Sequence, residues 1–346
     1  MYRFILALVL LVCEGTSRKI PKDFKFGTST AAFQVEGAWN VSGKGESIWD
    51  RFTHSHPELV RDHSNGDVAC DTYHEWREDI EILKDLGVDF HRFSLSWPRI
   101  LPDGFARRIN PDGVRFYNDF INKLLKNNIE PLFGWWANPI FSNTGDYPEV
   151  MKQRVDERSR LENFTISRLP ALTTDEIKMI KGTADFLGLN HYHTWLVGDH
   201  DFPIDGEPSH EKDMGIKSRQ DPNWKPSPQI VPWGFRKLMN WIKEKYNNPL
   251  VYITENGYGD ISEALEDHDR VTQIKLFIQA VMDAVEKDGC NVKRYTYWST
   301  LDNMEWSLGY TVKFGLYHVD FTSPNRTRTP KLSAKTFKDI IRKRQL

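Results

Sequence analysis

VYITENGYGD, Val251 to Asp260, places one carboxylate at the tip of an apolar, β-branched run. Val251, Tyr252, Ile253 and Thr254 read as a buried strand, and Asn256-Gly257 reads as the turn that ends it. Glu255 therefore stands where a strand opens onto a loop. A structural reading makes it a strand-end residue in a salt bridge. A chemical reading asks for a partner, because most reactions that use a carboxylate in this way need a second one.

Outward from that run, short apolar strands alternate with amphipathic helices. FKFGTST (Phe24 to Thr30), VDFHRFSLSW (Val88 to Trp97), IEPLF (Ile129 to Phe133), ADFLGLNHYH (Ala184 to His193), PLVYIT (Pro249 to Thr254) and VKRYTYWS (Val292 to Ser299) read as strands. Between them, Asp71–Gly87 carries Tyr73, Trp76, Ile80 and Leu83 at helical spacing. Pro111–Asn128 starts on proline and ends on asparagines, and Thr173 with Glu176 forms a capping box ahead of IKMIKG. Pro232–Tyr246 and Asp269–Gly289 are further helices. Strands separated by helices mean βαβ units and a parallel sheet. Gln34, Arg92, Asn190, Tyr192, Glu255 and Trp298 gather at the C-terminal ends of these strands, where a (β/α)8 barrel builds its active site. Six strands are legible, and a barrel closes on eight.

A chain of 346 residues with 39% hydrophobic and 13% aromatic content supports a sizeable core, and no linker, repeat or low-complexity tract divides it. Twelve tryptophans suggest platforms for flat or sugar-like ligands. A net charge of −2 gives no reason to expect nucleic acid or an acidic membrane surface. Arg3, the apolar run Phe4–Cys13 and small residues at Gly15 and Ser17 read as a secretory signal peptide, residues 1–17. That run is too short to cross a bilayer, and no later segment reaches spanning length. The reading is a secreted, extracellular chain with one domain, 18–346. Asn40 (NVS), Asn163 (NFT) and Asn325 (NRT) are glycosylation sequons that fit it. Cys70 and Cys290 remain, and either a bridge or two buried thiols is open. His191 and His193 alternate on a strand, but no third metal ligand accompanies them, so core or rim histidines are the simpler reading. No cofactor is called for.

FKFGTSTAAFQVEGA, HRFSLSWPRILPDG, DFLGLNHYH, YITENG and YWSTLDNMEWSLGYTVKFGLYHVD closely resemble the family 1 glycoside hydrolases, the β-glucosidase and myrosinase group. The resemblance runs in family order from about Pro21 to the C-terminus. It implies a (β/α)8 barrel and retaining hydrolysis of O- or S-glycosyl bonds in a β-glucoside. By it, Glu255 is the nucleophile, Arg92 keeps it ionised, Tyr192 hydrogen-bonds to it and Asn190 lies beside the sugar ring. Gln34 and Glu305 match the pair that forks onto sugar hydroxyls, Trp298 the stacking platform, and Trp306 a ring N–H donor. The residue types suit the chemistry: an oxocarbenium-like transition state needs an ionised carboxylate on one face. Sugar hydroxyl pairs are read by planar side chains.

One element of the family is missing. Its proton donor lies in a Thr-x-Asn-Glu-Pro motif on the fourth strand, and this sequence has none. Glu130-Pro131 falls inside the third strand, and Glu207-Pro208 follows DFPIDG in a loop. Through Leu132 the chain reads as the third strand; from Phe133 it reads as the GWxANPIF stretch that follows the fifth. The expectation is an incomplete barrel without strands four and five, short by on the order of a hundred residues or more. Its nucleophile is kept and its acid/base lost, with activity impaired or absent. Two alternatives stand beside this: a non-catalytic sugar- or receptor-binding protein, and a non-functional splice or gene-model product.

Overall fold

All six runs read as strands above lie in one parallel sheet. The computed structural model describes residues 18–132 and 138–346; the expected signal peptide and the residues just after Leu132 lie outside them. The strands are β1 (Lys25–Ser29), β2 (Phe90–Arg92), β3 (Glu130–Leu132), β4 (Leu187–His191), β5 (Leu196–Asp199), β6 (Ile216–Arg219), β7 (Val251–Asn256), β8 (Val292–Trp298), β9 (Tyr317–Val319) and β10 (Arg328–Pro330). The main sheet runs β3-β2-β1-β8-β7-β4 with every neighbour parallel. This is the order of a (β/α)8 barrel with two consecutive strands removed, and β3 and β4 are its open ends.

Register levels the C-terminal tips. Ser29 lies opposite Arg92 on one side and Trp298 on the other, and Asn190 lies opposite Glu255. Close strand packing requires glycine at Gly27, where an added Cβ would stand 2.4 Å from the Phe90 ring.

Helices Thr72–Leu86, Pro111–Lys126, Pro232–Lys245, His268–Glu286 and Leu332–Lys343 cover the outer face. The first ends at Gly87 in the left-handed region (φ 72°), which relieves the terminal carbonyls without a Cβ clash. The capping box at Thr173 and Glu176 is present as read. Between sheet and helices lie Phe26, Ile80, Leu83, Phe235, Phe277, Ile278, Val281, Tyr295 and Phe337, all fully or nearly fully buried. The backbone N–H of Leu346 donates to the carbonyl of Arg18, so the two described ends meet.

Sequence periodicity had not picked out the antiparallel hairpins β5–β6 and β9–β10, nor helices Ile48–Ser55 and Glu149–Leu161. The last buries only Val155 and Ser159, so it offers no apolar stripe to read. Cys70 and Cys290 are both free and buried.

Candidate active site

Glu255 reaches the rim at the C-terminal end of β7, and two side chains hold its carboxylate from opposite sides. The Arg92 guanidinium, at the tip of β2, ion-pairs with Oε1. The Tyr192 hydroxyl, just past β4, donates to Oε2 at 2.5 Å. Burial and the Glu255 charge push the Tyr192 phenol well above its ordinary pKa, so it stays a donor. The carboxylate side chain is 13% exposed, accessible enough to meet a ligand and shielded enough for its partners to matter.

A second cluster forms one wall of the same rim. The Trp298 indole N–H donates to Glu305 Oε1 at 3.2 Å, and Gln34 Nε2 reaches Glu305 Oε2 at 3.3 Å. Gln34 also donates to Asn303 Oδ1 and to the Met304 carbonyl, both at 2.8 Å, so its amide oxygen is the end left to face a ligand. Burial, and secondarily the charge of Glu255, raise the Glu305 carboxyl to about 7 against the donors that favour ionisation. Trp298 is buried at its strand end. Trp306 is half exposed, its ring stacked on Phe33 at 6.1 Å and tilted against Trp49 at 4.8 Å. Asn190, exposed, accepts from the Thr254 hydroxyl at 2.7 Å.

Neither Glu-Pro step joins this rim. Glu130 begins β3 opposite Phe90, two positions below Arg92, and ion-pairs with Arg294 at 2.9 Å. Glu207 lies exposed in a loop. His191 and His193 are packing residues: His191 is stacked on Phe235 at 4.5 Å, and His193 lies edge-on to Trp195.

A carboxylate held between a guanidinium and a phenol, beside a tryptophan-carboxylate-amide wall at the C-terminal rim of a parallel sheet, is suited to attack on a sugar. The model of glycosyl hydrolase family 1 matches residues 16–134 and again residues 132–346. The chain belongs to glycosyl hydrolase family 1. It is 35% identical to Myrosinase 1 of Brevicoryne brassicae over 460 residues, covering 93% of this chain and 98% of that protein. It is 32% identical to human cytosolic beta-glucosidase over 460 residues, with 93% and 98% covered. Among solved structures, aphid myrosinase superposes with a TM-score of 0.85 at 34% identity, covering 94% of this chain and 99% of that one. The rice Os3BGlu6 beta-glucosidase gives 0.80 at 28%, with 92% and 98% covered.

The two family 1 matches meet at residues 132–134, the point where the sequence reads from third strand directly into post-fifth-strand segment. Each 460-residue alignment is also longer than the 346-residue chain it aligns. Both observations agree with the six-stranded sheet: this family 1 barrel is incomplete. Sequence reasoning placed Glu255, Arg92, Tyr192, Gln34, Glu305 and Trp298 together. It missed Asn303, which fixes Gln34, and Asn256, the residue after Glu255, which donates to the His191 carbonyl. The only sequence signal for the latter was its place in the ENG motif.

Proposed function

We propose that the chain is a secreted β-glucosidase-type hydrolase, acting on O- or S-glycosyl bonds by a retaining mechanism, with its nucleophile kept, its acid/base group lost and its activity impaired or absent. The observation that carries the reading is the Glu255 carboxylate held between Arg92 and Tyr192. Glu255 attacks the anomeric carbon and expels the aglycone, and water then releases the sugar. Arg92 and Tyr192 orient the nucleophile, Gln34 and Glu305 bind sugar hydroxyls, Trp298 packs on the sugar and Asn190 flanks it; Trp306 contributes its indole N–H.

The missing Thr-x-Asn-Glu-Pro motif leaves the leaving group unprotonated. General acid catalysis is worth about 10²–10⁴-fold, or roughly 3–5 kcal/mol of barrier. An aglycone that departs as a stable anion escapes most of that loss; cellobiose bears all of it. The expected outcome is slow turnover of activated aryl β-glucosides or thioglucosides, negligible hydrolysis of cellobiose, and complete loss on Glu255→Gln. Ordinary cellobiose turnover by pure protein, or activity indifferent to Glu255→Gln, would overturn this reading. Saturable sugar binding with no turnover of any activated glucoside would favour a binding protein instead.

Secretion rests on the N-terminal pattern and on three sequons whose asparagines, Asn40, Asn163 and Asn325, are exposed in turns where a glycan has room. N-terminal sequencing of secreted material should begin near residue 18; a retained Met1 in a cytosolic pool would refute it.

A further inference from the structure

β4 ends the sheet, so β7 is its one ladder partner among the described strands. That ladder slips out of register between Leu189 and Asn190, just before the tip that carries Tyr192. Past the slip, Asn256 spans the two strands. It is fully buried, and its Nδ2 donates to the His191 carbonyl at 2.7 Å. Its Oδ1 accepts from Gln273 Nε2 at 2.9 Å and from the Tyr295 hydroxyl at 2.6 Å. A carbonyl can only accept, so the amide nitrogen must face His191 and the oxygen must face the two donors. Asn256 thereby ties the end of β4 to β8 and to helix His268–Glu286. The His191 carbonyl is one peptide unit from Tyr192, whose hydroxyl meets Glu255.

We propose that Asn256 is a positioning residue that holds the tip of β4, and through it the Tyr192 hydroxyl, against Glu255; the inference rests on the reading of Glu255 as nucleophile. It touches neither sugar nor reacting atoms. In a sheet whose next strand outward is missing, this buried amide supplies at the tip of β4 the lateral restraint that a flanking strand would give. Thr254, two residues earlier in β7, adds a second tie through Asn190.

Two measurements separate this proposal from the assignment it rests on. The first is the ¹³Cζ NMR signal of Tyr192, assigned by its absence in Tyr192→Phe. Asn256→Ala should move it in the direction that Glu255→Gln moves it, while the signal of Tyr117, bound to Glu36 elsewhere, stays put. An unmoved Tyr192 signal overturns the proposal. Should Asn256→Ala fail to fold, Tyr295→Phe removes one of the two donors to Oδ1 and should shift the signal the same way by less; no shift there overturns it equally. The second is covalent trapping of Glu255 by a 2-deoxy-2-fluoro-glucoside with a dinitrophenolate leaving group, followed by intact mass. Asn256→Ala should slow trapping about ten- to a hundredfold, but change little in a Tyr192→Phe background, because the two act as one unit. Equal slowing in both backgrounds overturns the positioning role. A wild-type protein that is never trapped refutes the nucleophile assignment and leaves the Tyr192 signal to decide the role of Asn256.

Discussion

Glu305 has its carboxylate between the Trp298 indole and the Gln34 amide, and burial raises its pKa from 4.5 to about 7. A carboxyl whose folded pKa lies above its unfolded value binds its proton more tightly when folded. Its stabilising contribution is therefore complete below about pH 4.5 and is lost as pH rises through 7. The shift corresponds to roughly 3 kcal/mol over that interval. Denaturant midpoints should fall between pH 5 and 8, and Glu305→Gln should remove that part of the fall; identical pH profiles for the two proteins would contradict it. Sugar affinity should run the opposite way, since the ionised form accepts from hydroxyls. The buried pair of Arg99 and Glu36, 2.8 Å apart and joined by the Tyr117 hydroxyl, makes a second prediction at this scale. Arg99→Met strands a buried carboxylate, so unfolding free energy should drop by about 3–5 kcal/mol. A loss under 1 kcal/mol would mean that the pair contributes little.

Among the described strands, those at the open ends of the sheet, β3 and β4, have a partner on one side only. β7, in contrast, lies between β8 and β4. Amide hydrogen exchange should accordingly be weakly protected in residues 129–132 and 184–190 and strongly protected in 251–254. Uniform protection across the three would mean that the gap is sealed. The ends also differ from each other. Glu130 donates its N–H inward to the Asp89 carbonyl, so the alternation of a parallel strand turns the nitrogen of Pro131 outward, where it has no hydrogen to offer. β4 carries no such block, and Gly188 is exposed along it. The element pattern itself was legible: the strands of the main sheet announce themselves as short apolar runs, and the long covering helices by 3.6-residue periodicity. The β5–β6 pair escaped notice because β5 is exposed along its whole length and shows no buried face to alternate against, and the β9–β10 pair because each of its strands is only three residues long.

Two consecutive βα units separate this molecule from a closed barrel, and the seam lies where the two family 1 matches meet, at residues 132–134. A six-stranded arc cannot take up the shear and tilt of eight. Inserting the corresponding segment of a family 1 relative after Leu132 should therefore close the sheet and supply a proton donor. The expected result is hydrolysis of cellobiose, dependent on both the inserted glutamate and Glu255, with a raised melting temperature. A folded chimaera that stays inactive would place the defect elsewhere than in the missing units.

The sequence by itself determined the parallel α/β class, the family, the carboxylate at the tip of β7 with its rim, and the place where the barrel is interrupted. These are written in short-range patterns: periodicity within one element, turn residues at its ends, and motifs a few residues long. Only the tertiary structure decided how those pieces act on one another. That Asn256 braces β4 through His191, Gln273 and Tyr295, that Glu36 is joined to Arg99 and Tyr117, and that Glu305 is buried enough to hold its proton near neutrality are facts about neighbours between 17 and 271 residues apart in the chain. No local pattern encodes such pairs, because hydrogen-bond partners and desolvation exist only once the sheet and its helices have brought distant side chains together.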